Sequence, residues 1–69
     1  MKMSDPETLK AEIKKLSAKA MQAKMDLHDL SEELPIGLDK VMAIAERVRD
    51  SYAALDAKRA ELKALEAAA

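Results

Sequence analysis

The chain has 69 residues and a formal net charge of −1, with no cysteine and one aromatic residue, Tyr52. A chain of this length forms one domain at most, and it buries little apolar surface without a partner chain, a metal or a cross-link. The lack of cysteine excludes disulfides and thiolate chemistry, and the small net charge argues against general attraction to nucleic acid or membranes. No apolar run approaches the ~20 residues of a membrane-spanning helix, so we expect a cytoplasmic protein.

The first predicted helix covers residues 5–33. It begins either with Ser4 as the cap, completed by Glu7, or with Asp5 as the cap and Pro6 at the first helical position. Apolar residues then follow one another at alternating intervals of four and three, which is the heptad pattern of packed helices. This seam consists of Leu9, Ile13, Leu16, Ala20, Ala23, Leu27, Leu30 and Leu34.

A turn is predicted at residues 34–37, because Pro35 disfavours continued helix and Gly37 gives the backbone freedom. The second helix is predicted over residues 38–66, and a connection this short leaves room only for an antiparallel neighbour. Residues 1–69 are therefore expected to form a single all-α helical hairpin. The second seam consists of Leu38, Val41, Ala45, Val48, Tyr52, Leu55, Arg59 and Leu62.

The two seams predict a register for the hairpin in which facing residue numbers add up to roughly 72. Leu30 then faces Val41, and Ile13 faces Arg59, which is the one misfit in the seam. Replacing Arg59 by leucine is expected to raise stability by about 1 kcal/mol, because packed apolar surface would replace a charge.

A second stripe of small, apolar and polar residues runs along the first helix on the side away from the seam, and we call it the outer face of the first helix. A helix with apolar residues on two faces is usually covered on both, so this face predicts contact with a second copy of the chain or with a different partner. The outer face consists of Ala11, Ala18, Met21, Met25, His28 and Glu32.

His28 and Glu32 are four residues apart, so their side chains meet on one helical face. One imidazole and one carboxylate do not complete a metal shell, but a symmetric dimer would double them into a plausible set for zinc, nickel or copper. The alternative is an interface histidine hydrogen-bonded to an acid. Met21 and Met25 are likewise interpreted as adaptable packing surface rather than as copper ligands.

Two charged regions flank this pattern. The first helix ends in an acidic group near its negative pole, which either docks on a basic surface, attracts a cation or keeps the protein in solution. This group consists of Asp26, Asp29, Glu32 and Glu33. The basic first half of the same helix is interpreted as a solvated face rather than a phosphate-binding one; it carries Lys10, Lys14, Lys15, Lys19 and Lys24.

The sequence gives no support for catalysis. It contains no catalytic triad, phosphate-binding loop or cofactor motif, so we expect that the protein is not an enzyme.

Parts of the sequence resemble a known protein family. Lys24-Met25-Asp26-Leu27-His28-Asp29-Leu30, the closing Glu33-Leu34-Pro35, and Tyr52 followed by Ala54-Leu55-Asp56 resemble the Rop-like family of small proteins encoded in nitrogen-fixation gene clusters. Members often carry a tryptophan shortly after Leu-Pro, where this chain has Ile36-Gly37-Leu38.

The resemblance implies a hairpin that self-associates into a four-helix bundle and a non-enzymatic accessory role in nitrogen fixation, through contact with a nitrogenase component or an assembly factor. It also implies a possible divalent metal, which would map to His28 with the neighbouring acids Glu32 and Asp29. The alternatives are therefore a metal carrier or sensor and an RNA-binding bundle, although architecture alone does not transfer RNA binding. The expected partner-binding residues are Met21, Met25, Asp26, His28, Asp29, Glu32 and Glu33.

Overall fold

Two long helices joined by a tight turn make up the protein, as seen in a computed structural model that describes residues 5–68. Helix α1 spans Pro6–Glu33, a short 3₁₀ helix spans Leu38–Lys40, and helix α2 spans Val41–Ala68. The molecule measures 51 × 18 × 15 Å, which is the shape of two helices lying side by side. The predicted all-α antiparallel hairpin is confirmed.

Helix α1 begins at the proline that fits its first position. Asp5 precedes it with extended backbone angles (φ −67°, ψ 126°), and Pro6 is the first helical residue. The hydroxyl of Thr8 donates a hydrogen bond to the Asp5 carboxylate at 3.1 Å. This is the second of the two predicted starts; Ser4, the other candidate cap, lies outside the described residues.

The turn depends on one glycine and on the leucine beneath it. Gly37 has a φ of +80°, in the left-handed region that residues with a side chain rarely adopt. A Cβ atom at this position would lie 2.9 Å from Cδ1 of Leu30, which is buried. Backbone hydrogen bonds from Leu38 to the Pro35 carbonyl (3.2 Å) and from Lys40 to the Gly37 carbonyl (2.8 Å) then start the 3₁₀ helix.

The core is small and is supplied mainly by α1. Every buried residue within residues 5–68 is apolar. Each buried leucine contributes about 1.5–3 kcal/mol by leaving water. The four buried residues of α1 all belong to its predicted seam, whereas α2 buries one residue completely. These core residues are Leu9, Ala20, Ala23, Leu30 and Leu55.

Three residues assigned to the seams are exposed. Leu34 and Leu38 are 41% and 64% exposed, because the chain leaves α1 at residue 33 and enters α2 only at Val41. Arg59 is also exposed, and Lys58 is the half-buried residue beside Leu55. The predicted pairing of Ile13 with Arg59 is therefore wrong: the inward position after Leu55 comes three residues later rather than four.

Two ion pairs join the helices. The Arg47 guanidinium donates to the Asp26 carboxylate at 2.8 Å, and the Lys58 ammonium lies 3.3 Å from Glu12. Both pairs lie within two positions of the predicted register, in which facing residue numbers add up to about 72. The aliphatic stem of Lys58 can cover apolar surface while its charge reaches Glu12, so a lysine is tolerated beside the core.

Candidate partner-binding surface

The outer face of α1 exposes two large apolar side chains in the middle of the helix. Met21 and Met25 are 55% and 47% exposed, and they are one helical turn apart. Ala11, Ala18 and the pair of His28 and Glu32 are exposed as well. The second stripe predicted from the sequence is therefore an uncovered surface of the single hairpin.

His28 and Glu32 meet as their spacing predicts. Nε2 of His28 lies 3.3 Å from Oε2 of Glu32, and the two side chains are 59% and 67% exposed. The backbone carbonyl of His28 accepts a hydrogen bond of 2.7 Å from the Ser31 hydroxyl. A contact between two side chains this exposed adds little to stability.

The metal ligands suggested by the resemblance are only partly brought together. Asp29 is exposed but follows His28 directly, so it points about 100° away around the helix. Within residues 5–68, no three histidine, cysteine, aspartate or glutamate side chains form a group able to hold a metal ion. One chain thus offers two neighbouring donors, His28 and Glu32, which are fewer than a zinc site requires.

Asp26 is part of the hairpin rather than of the outer face. Its two carboxylate oxygens accept hydrogen bonds from Arg47 (2.8 Å) and from Gln22 (3.0 Å). These hydrogen bonds, with that of Arg47 the larger cause, hold the pKa of the Asp26 carboxyl below its usual value. Within the acidic group of Asp26, Asp29, Glu32 and Glu33, the charge of Asp26 is thus matched by an arginine of the same chain.

The basic half of α1 borders a groove of about 310 Å³ between the helices, lined by Glu12, Lys15, Leu16, Lys19 and Lys58. Lys58 contacts both Glu12 and Glu61, at 3.3 and 3.6 Å. The hydrogen bond to Glu12 is the main reason that the pKa of Lys58 is raised. Since two carboxylates face this ammonium group, the groove presents less positive charge than its lysines suggest.

Four large apolar residues at the turn end of the hairpin are exposed, and none of them belongs to a site predicted from the sequence. They are Leu34, Ile36, Leu38 and Met42, which are 41–79% exposed. Leu34 and Leu38 had been assigned to the seams, and Ile36 and Met42 belonged to no pattern. The available signal was the run Leu-Pro-Ile-Gly-Leu, which is unusually apolar for a turn between helices.

None of the helices within residues 5–68 combines the length and the apolar character that crossing a bilayer requires. The fold and its surfaces define a small antiparallel helical hairpin that exposes apolar side chains beyond its own core.

The chain belongs to the Rop-like family, whose model matches residues 4–67. A "UPF0437 protein" of Azorhizobium caulinodans is 54% identical over 67 residues, covering 97% of each chain. Another UPF0437 protein, from Trichormus variabilis, is 50% identical over 60 residues, or 87% of this chain and 70% of the relative.

A third relative adds genomic context. A protein of Frankia alni, described as a "UPF0437 protein in nifX-nifW intergenic region", is 49% identical over 41 residues, covering 59% of this chain and 50% of the relative. The predicted family resemblance is thereby confirmed, together with a nitrogen-fixation gene context for one relative. No solved structure matches the chain.

Proposed function

We propose that this chain is a non-enzymatic accessory protein of nitrogen fixation that self-associates and works by contact with a nitrogenase component or its assembly machinery. The observation that carries the proposal is the outer face of α1, with Met21 and Met25 about half exposed on a hairpin whose own core is small. A short chain of this kind gains stability when a second helical surface covers such a face. The gene context of the Frankia alni relative supports the proposed role in nitrogen fixation.

Self-association is tested by light scattering at several micromolar concentrations. The native chain should form at least a dimer. In a dimer, the two hairpins would form one four-helix bundle. Met25→Ser should shift the equilibrium toward the monomer, because Met25 lies at the centre of the outer face. Met42→Ser is the matched control: Met42 is 79% exposed but lies at the turn end. A stable native monomer, or equal effects of the two substitutions, would contradict the proposed surface.

The role in nitrogen fixation is tested by deleting the gene in its own nitrogen-fixing host. Growth on dinitrogen and acetylene reduction should fall, growth on ammonium should stay unchanged, and the native gene should restore both activities. A strain that fixes nitrogen normally without the gene, or that grows poorly on ammonium as well, would argue against the proposal.

A metal carrier or sensor is the second candidate, and the 3.3 Å approach of His28 to Glu32 on the outer face favours it. If two copies associate symmetrically through this face, two imidazoles and two carboxylates become available, which suits a divalent transition metal. Elemental analysis of the purified native protein separates this candidate from a purely contact-based role.

A further inference from the structure

The turn end of the hairpin carries a concentration of exposed apolar side chains. Leu34 and Ile36 are 41% and 74% exposed, and Leu38 and Met42 are 64% and 79% exposed. We call these four residues the turn-end patch. The spacing of Leu38 and Met42, four residues apart, makes them neighbours on the start of the second helical segment. A cluster of exposed large apolar residues at one end of a small protein is typical of an interaction surface.

The residues that neighbour the patch along the chain are mostly negatively charged. Between residues 29 and 40 the chain has four carboxylates and one lysine, and all five of these side chains are exposed. Three of the acids stand at the C-terminal end of α1, whose last turn contains no basic residue. The helix dipole disfavours acids there, so their placement costs stability and points to another use. The four acids are Asp29, Glu32, Glu33 and Asp39.

The charge distinguishes between two occupants of the patch. A symmetric contact between two turn ends would place the same acidic rim against itself, and like charges brought together oppose binding. An apolar groove rimmed by lysine and arginine would instead match both the apolar centre and the acidic rim. Self-association is therefore assigned to the outer face of α1, and the turn end is left for a different protein.

The turn presents this patch in a fixed conformation. The Ile36 amide donates to the Glu33 carbonyl at 3.0 Å, and the Leu38 amide donates to the Pro35 carbonyl at 3.2 Å. Gly37 closes the turn over Leu30, whose side chain lies directly beneath it. A surface held in this way loses little conformational entropy on binding, which favours affinity.

We propose that the turn-end patch, with its acidic rim, docks into an apolar groove bordered by lysine and arginine on another protein. The proposal rests on the proposed function, because it specifies the chemistry of the partner that the accessory role requires. It adds a second surface to the molecule: the outer face of α1 pairs the chains, and the turn ends, at the tips of the hairpins, bind the partner.

The test places a photo-activated cross-linking residue at Ile36 in the full chain, expressed in nitrogen-fixing cells. The matched control carries the same residue at Ala53, an exposed position near the middle of α2. Cross-linking at Ile36 should join the chain to a different protein, at a segment in which apolar residues are flanked by lysine or arginine. Ala53 should not give this product. Circular dichroism of both variants should match that of the native chain.

The electrostatic part is tested with the partner identified by that cross-link, purified and titrated with the native hairpin. Ile36→Ser should weaken binding roughly tenfold to a hundredfold, as expected for removing one buried aliphatic side chain. The double reversal Glu33→Lys with Asp39→Lys, which leaves the outer face of α1 intact, should also weaken binding and should reduce its dependence on salt. Unchanged affinity after both the apolar substitution and the charge reversal would overturn the proposal.

Two further outcomes would overturn the docking surface: a cross-link from Ile36 to a second copy of this chain, or none to any other protein. The proposed function is judged separately by the gene deletion. If deletion impairs nitrogen fixation but Ile36 cross-links to no basic surface, the turn-end proposal fails and the accessory role stands. If Ile36 finds such a partner but the deletion strain fixes nitrogen normally, the accessory role fails and the docking surface stands.

Discussion

Truncating Leu55 should destabilise the hairpin far more than truncating Leu38, although both leucines fit the heptad pattern of the second helix. Leu55 is 2% exposed, and Leu38 is 64% exposed. Leucine-to-alanine substitutions in cores cost about 2–5 kcal/mol, and a two-helix hairpin can partly close the gap, so we expect about 2–3 kcal/mol for Leu55→Ala. At 0.05–0.15 kcal/mol per residue, a chain of this length has a total stability of roughly 3–10 kcal/mol. Leu55→Ala should therefore remove a large fraction of it.

The assay is urea denaturation followed by circular dichroism at 222 nm. The native, Leu55→Ala and Leu38→Ala proteins should be compared at equal protein concentration. The comparison should be repeated at a second protein concentration, because self-association adds to apparent stability. Leu38→Ala should change the free energy of unfolding by less than about 0.5 kcal/mol, as for other exposed positions. Equal losses for the two variants would show that Leu38 is packed in the folded protein and would refute both the assigned core and the free turn end.

Arg59→Leu should change the free energy of unfolding by less than about 0.5 kcal/mol, because Arg59 is exposed. A gain of about 1 kcal/mol would show that residue 59 packs in the core. Asp26→Asn should lower the melting temperature slightly at neutral pH. The lowered pKa of Asp26 means that its contribution is present above the ordinary value of 3.8 and is lost as pH falls through the lowered value, so the difference should close in strong acid. His28→Ala should weaken self-association modestly and leave the metal content of the purified protein unchanged. Loss of bound metal in both His28→Ala and Glu32→Ala, but not in Glu33→Ala, would instead support the metal candidate, and uptake should then weaken at low pH because the imidazole must be neutral to bind.

The first helix was predictable because its apolar period is unambiguous. Leu9 and Leu30 lie near opposite ends of one unbroken heptad seam, and both are buried. The spacing of His28 and Glu32 likewise predicted their contact, since residues four apart on a helix are neighbours. Local periodicity thus accounts for the helical hairpin and for the outer face of α1.

Interactions that depend on tertiary structure were harder to predict from the sequence. The partner of Asp26 is Arg47, 21 residues away, so its pairing depends on the exact register of the two helices. The heptad alternation places Arg59, four residues after Leu55, in the seam, whereas in the structure Arg59 is exposed and Lys58 is half-buried. Lys58 rather than Arg59 takes the inward position because its ammonium group reaches Glu12 across the hairpin. The turn itself was predicted, but the exposure of Leu38 was not, because the 3₁₀ helix delays α2 until Val41 and so places Leu38 outside the seam.

The antiparallel hairpin also fixes the order in which its contacts are easiest to form. The Asp26–Arg47 pair closes a short stretch of chain next to the turn, whereas the Glu12–Lys58 pair closes a stretch about twice as long. Each doubling of the loop costs about 0.6 kcal/mol in chain entropy, so zipping from the turn toward the ends is the least costly path. Opening runs in reverse, and the ends separate first while the turn stays closed. Amide hydrogens near Leu30 should accordingly exchange with solvent more slowly than those near Leu62, and the turn-end patch keeps its conformation while the far end of the hairpin opens and closes.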